Sequence, residues 1–90
     1  MEKTYKELIE AVIKAQESII GPIAWSRASE IENISINGRE ILVSGDGKKV
    51  LQSLVFDYEK LFGKASVEAC KNAIYPIIKD LKVDLPDILK

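Results

Sequence analysis

Cys70 is the one thiol of the 90-residue chain, and the chain contains no histidine. A reactive thiolate needs a neighbouring base and an exposed, electropositive setting. Cys70 instead falls between Val67 and Ile74 on an apolar helical stripe and reads as a small core hydrophobe. Without histidine the commonest general base, proton shuttle and metal ligand is missing. A single cysteine also excludes an internal disulfide, a CxxC redox pair and a thiolate zinc site. Hydrolysis by a carboxylate pair requires two acids facing one cleft. Glu7, Glu10, Glu17, Asp57, Glu59, Glu68 and Asp80 fall on the polar sides of their helices with lysines close by, the pattern of solvated faces. The expectation is a protein that is not an enzyme, with no catalytic residues, no metal and no cofactor.

Gly45-Asp46-Gly47-Lys48-Lys49 is the nearest approach to a phosphate cradle. A glycine-rich turn from strand to helix points free N–H groups at an anion, and two lysines add charge. A Walker A loop needs a further glycine five residues before the last one and Ser or Thr after the first lysine. Those positions hold Leu42 and Lys49, so that motif is absent. As a calcium loop the segment lacks acids at alternating positions around Asp46. Two expectations remain: Asp46 as a helix cap within a tight turn, or a weak anion site at Gly45, Gly47, Lys48 and Lys49.

Lys plus Arg total 13 against 14 Asp plus Glu, a net charge of −1. The balance is even along the chain, so no basic stripe hides behind an acidic half. Domains that grip phosphate backbones carry a large basic excess, and nucleic acid is not an expected partner. Lys60, Lys64 and Lys71 gather near a helix–turn–helix junction, yet the second helix there offers Glu68, Lys71, Asn72, Tyr75 and Lys79 outward and no arginine. Met1 to Lys6 runs straight into charged helix-forming sequence without the apolar core of a signal peptide, and no apolar stretch approaches the ~20 residues that span a bilayer. A cytoplasmic protein without membrane attachment is the expectation.

With 47% hydrophobic and 30% charged residues the composition is that of a folded globular chain, and the length suits one domain. Thr4 and Glu7 form a capping box. From Tyr5 to Ile20 the apolar side chains Tyr5, Leu8, Ile9, Val12, Ile13, Ala15, Ile19 and Ile20 fall within an arc of about 160°. Gly21-Pro22 ends this helix and can open a short second one through Ser29. Residues 31–36 and 39–44 read as two strands of a hairpin joined by Asn37-Gly38 in a type I′ turn, which places Ile36 opposite Arg39 and Ile34 opposite Ile41. Its apolar face then carries Ile34, Ile36, Ile41 and Val43. A third helix follows Asp46, with Val50, Leu51, Leu54, Val55, Tyr58, Leu61 and Phe62 on one stripe and Gly63 at its end. A fourth starts near Ser66 and buries Val67, Cys70, Ala73, Ile74, Ile77, Ile78 and Leu81, with Pro76 opposite that stripe. The expected fold is α+β in the order α-α-β-β-α-α. One antiparallel hairpin (31–36/39–44) packs against amphipathic helices in a single domain over residues 1–82, and 83–90 form a short C-terminal tail, docked or loose. A lone two-stranded sheet is marginal in water, so helices must cover its apolar face or a second chain must extend it.

Three side chains break this pattern. Gln16 stands at the centre of the first helix's apolar arc, Leu42 lies on the polar face of the hairpin, and Phe56 falls about 100° outside the stripe of the third helix. Trp25, the only tryptophan, sits at the rim of the short helix. The run Gly21-Pro22-Ile23-Ala24 after an amphipathic helix resembles helical modules attached to prokaryotic signalling proteins; four residues transfer no activity and no site. The expectation is a small non-catalytic interaction or regulatory module, self-associating as a homodimer through the first helix or the hairpin or meeting another protein. Gln16, Leu42, Phe56 and Trp25 would form the surface, with Gln16 fixing the register of a helix pair as a buried polar residue does in coiled coils. The alternative is a sensor domain that takes a small ligand or an anion at the Gly45–Lys49 turn.

Overall fold

Four helices and one hairpin follow one another as α1 (Lys3–Ile20), α2 (Ile23–Ser29), β1 (Ile34–Asn37), β2 (Glu40–Val43), α3 (Gly47–Phe62) and α4 (Lys64–Ile78), with a closing 3-10 turn at Asp87–Leu89. These come from a computed structural model, which describes residues 3–90. The order and the α+β class are those expected. Met1 and Glu2, where the first segment opens, lie outside the described residues, and Thr4 stands inside α1 rather than at a cap before it.

The helix α1 is the hub. It packs against α4, α2 and α3 and touches β2, and Leu8, Ile9, Val12, Ile13 and Gln16 are all fully buried. An apolar arc of about 160° is what a helix with neighbours on several sides requires. That width is taken up inside this one chain. Each of these aliphatic side chains contributes on the order of 1.5–3 kcal/mol by leaving water. Of that arc only Ile19 remains largely exposed, at 58%.

The helices α3 and α4 complete the bundle. Val50, Leu51, Leu54, Val55 and Tyr58 of α3 meet Val67, Cys70 and Ile74 of α4 in the common core. Asp46 caps α3 by accepting from the backbone N–H groups of Lys48 and Lys49 at 3.1 and 3.4 Å. Pro76 lies within α4 on its exposed side, where a missing N–H costs least. Two residues expected in the core are not in it. Leu81 is exposed because α4 stops at Ile78, and Leu61 is exposed in the last turn of α3. The segment 83–90 is docked: Pro86 and Leu89 are buried, and the closing turn packs on α3 and α4.

The hairpin lies over α1 and α2, its inner face supplying Ile34 and Ile41 to the core. Its register differs from the expected one. Ile34 stands opposite Val43, Ser35 opposite Leu42, Ile36 opposite Ile41 and Asn37 opposite Glu40, so the loop is Gly38-Arg39. A type I′ turn needs positive φ at both central residues. Here Gly38 has φ +65° and neither Asn37 nor Arg39 is positive. Glycine at the first central position is the requirement of a type II′ turn. Moving the loop by one residue moves each pairing by two, so the same side chains still face inward. Ser44 N–H donates to the Asn33 carbonyl at 3.0 Å. By alternation Ile34–Val43 and Ile36–Ile41 are then the close, non-hydrogen-bonded pairs.

Candidate functional site

Gln16 is where sequence and structure meet most informatively. Its side chain is fully buried, and Nε2 donates to the Ser66 carbonyl at 3.0 Å and approaches Cys70 Sγ at 3.3 Å. Ser66 lies in the first turn of α4, where its own side chain is buried too. Gln16 thus does join a helix pair, and the pair is α1 and α4 of one chain; it is not part of the outer surface. Its Oε1 is buried with no hydrogen-bond partner, a cost the seam carries.

Cys70 closes the same seam. Burial pushes its thiol up to about 11, against a smaller lowering by Gln16. At neutral pH the sulfur is a thiol, without the thiolate character that nucleophilic attack needs. Nearby Tyr58 is buried, its hydroxyl donates to the Ala24 carbonyl at 2.7 Å, and burial raises its pKa strongly. The hydroxyl is a strut between α3 and α2. Among the described residues no three His, Cys, Asp or Glu side chains converge as metal ligands.

At the Gly45–Lys49 turn two of the backbone donors are already in use. Asp46 takes the N–H groups of Lys48 and Lys49, the ones an anion would have met. Lys48 Nζ pairs with Asp84 Oδ2 at 3.0 Å, which raises the lysine pKa. Gly45 has φ +76° with Asn33 close against it, and Gly47 is buried at the start of α3. Lys49 remains exposed beside a cleft of about 270 Å3 lined by Glu32, Asn33, Asp46, Lys49, Val50 and Ser53. Two carboxylates to one ammonium make this lining acidic.

Trp25 is half-buried at the tip of the hairpin, with the Arg39 guanidinium 4.5 Å from its ring centroid. Arg39 also holds Glu17 in a two-bond fork at 3.0 and 3.2 Å. That fork lowers the Glu17 pKa. The Trp25 indole N–H adds to the lowering, although it falls short of a full hydrogen bond. The clasp ties the loop to α1 and α2. No local spacing could have shown it, because Glu17, Trp25 and Arg39 meet only through the tertiary fold. A second fork, Arg27 to Asp57 at 2.9 and 3.2 Å, ties α2 to α3 in the same way.

Leu42 and Phe56 stand outside all of this. Leu42 is 51% exposed on the outer face of β2, and Phe56 is 57% exposed on the outer side of α3. A comparison with protein-family models, with curated proteins and with solved structures finds no match to this chain. Among the described residues no helix is long and apolar enough to cross a membrane.

Proposed function

We propose that the chain is a small non-catalytic interaction or regulatory module of the cytoplasm that self-associates as a dimer, with the hairpin in the interface. The observation that carries this is the exposure of Leu42 and Phe56 away from the apolar stripes of their own elements. Single exposed apolar residues are ordinary. Here each of the two stands in the middle of an otherwise polar face. The residue inventory supports the absence of chemistry: no histidine, and one thiol held in its neutral form. Sedimentation equilibrium tests the dimer. A 10 kDa particle at all concentrations up to millimolar overturns it.

A second reading rests on the cleft beside Lys49. Its acidic lining favours a small polar cation or zwitterion over an anion. Thermal-shift screening separates it from the first, since a ligand at one hundred times its dissociation constant stabilises by ~2.7 kcal/mol. A screen of amino acids, amines, nucleotides and phosphates without a shift removes it.

A further inference from the structure

We infer that the interface is reciprocal: the Phe56 face of α3 in one copy rests on the Leu42 face of the hairpin in a second copy, and the same contact repeats in the other direction. This rests on the self-association proposed above and names the surface that performs it. At 100° per residue, Lys49, Gln52, Ser53 and Lys60 lie within about 60° of Phe56, and all four are exposed. Half-buried Glu59 is the one acid at the margin of that face, and exposed Lys64 follows just past Gly63. On the hairpin Ser35, Asn37, Glu40 and Ser44 surround Leu42 in the outward positions, all exposed. Their only charge is that of Glu40.

The ion pairs of the domain leave these charges over. Arg27, Arg39 and Lys48 are each held by an acid. Among the described residues Lys49, Lys60 and Lys64 form no ion pair, and neither do Glu32 and Glu40. One apolar-centred face therefore keeps unpaired positive charge and the other unpaired negative charge, an arrangement that selects a complementary partner. Both reach toward one cleft. Glu32 and Asn33, which lead into β1, form one wall, and Lys49 and Ser53 of α3 the other. Asn33 bonds to Ser44, two residues from Leu42, and Ser53 is one helical turn from Phe56. Two complementary half-faces on either side of a cleft can meet a second copy about a two-fold axis through it. Each copy then presents both halves, and the contact closes as an isologous dimer. Phe56 is the anchor, and the serines, Gln52 and Asn37 form the polar rim that excludes water around it.

Sedimentation equilibrium on the full chain provides the test. Phe56→Ala should raise the dimer dissociation constant about 30-fold, the effect of losing an anchor residue, and Leu42→Ala should raise it by a smaller factor. Both side chains are exposed, so the urea midpoint of the dilute monomer, followed by Trp25 fluorescence, should stay in place. Lys60→Glu and Glu40→Lys should each weaken the dimer, and the double variant should recover most of the affinity. A dimer whose affinity ignores all four changes overturns the inference while leaving self-association standing, and would direct attention to exposed Ile19, Ile23 and Leu61. A chain that stays monomeric at every concentration overturns both.

Discussion

Helices α1 and α3 share one core and break their own patterns in opposite directions. The helix α1 places an amide at the centre of an apolar arc, and α3 places a phenyl ring on a polar face. Gln16 is fully buried and bonded to α4, whereas Phe56 is more than half exposed and, in the described fold, covered by nothing. A helical wheel treats both as misfits. They differ in which side of the parent helix its neighbours occupy. With α2, α3, α4 and β2 around α1, the partner that Gln16 needs is already present in the chain. On the outer side of α3 no element of the described residues covers Phe56. A polar residue in an apolar arc therefore points inward to a specific contact, and an apolar residue on a polar face points outward to an absent one.

The largest effect should come from breaking the inward half of that comparison. Gln16→Ala removes buried volume and the second bond to the Ser66 carbonyl, which should cost roughly 2–4 kcal/mol. Phe56→Ala should change monomer stability by no more than about 0.5 kcal/mol. Gln16→Leu sharpens the result by keeping the volume while removing the amide. It loses the bond to Ser66 but relieves the unpartnered Oε1, so it should fall well short of the alanine cost. Urea unfolding of the three variants at low concentration decides the matter. Equal losses for Gln16→Ala and Phe56→Ala would end the distinction.

Much of this was legible in the sequence, and the limits have physical causes. The four helices, the hairpin and the Asp46 cap follow from apolar periodicity and turn chemistry, both local. The inner face of the hairpin was recoverable even though its turn was not, since a two-residue change of pairing preserves which side faces inward. What was lost depends on tertiary neighbours. Choosing between Asn37-Gly38 and Gly38-Arg39 turns on whether Arg39 is wanted in the loop, where it reaches Glu17 and Trp25. A helical wheel shows how wide the apolar arc of α1 is and not which elements cover it. Leu81 continues the apolar spacing past the point where α4 stops, so periodicity alone places it in the core.

An intermediate effect should appear at Tyr58, which joins α3 to α2 by one buried hydroxyl. Tyr58→Phe keeps the ring and removes the hydroxyl's bond to the Ala24 carbonyl, for an expected loss of about 0.5–1.5 kcal/mol. This variant separates hydrogen bonding from packing more cleanly than any at Gln16, because the ring's burial is unchanged. A loss below a few tenths of a kcal/mol would mean that water or a small shift of α2 replaces the bond, and the contrast between buried polar contacts and exposed apolar ones would rest on Gln16 alone.

The smallest effect belongs to the clasp at the hairpin tip, which is polar like the Gln16 seam but open to solvent like Phe56. Exposed ion pairs are weak and screened by salt, so Arg39→Ala should lower stability only slightly at neutral pH. Its signature is the pH dependence. In the folded chain Arg39, with Trp25, holds the Glu17 carboxyl below its ordinary value of 4.5. A carboxyl lowered by folding contributes stability above its unfolded pKa, and that contribution is lost as the pH falls through the folded one. From 4.5 downward the wild-type chain should therefore lose an increment that Arg39→Ala never had, and the two unfolding midpoints should converge in acid. The indole beneath Arg39 makes Trp25 emission a local reporter of the same step, and added salt at neutral pH should narrow the gap likewise. A difference between the two proteins that stays constant from pH 7 to strong acid would show that Arg39 acts by packing on Trp25 and not through its charge on Glu17.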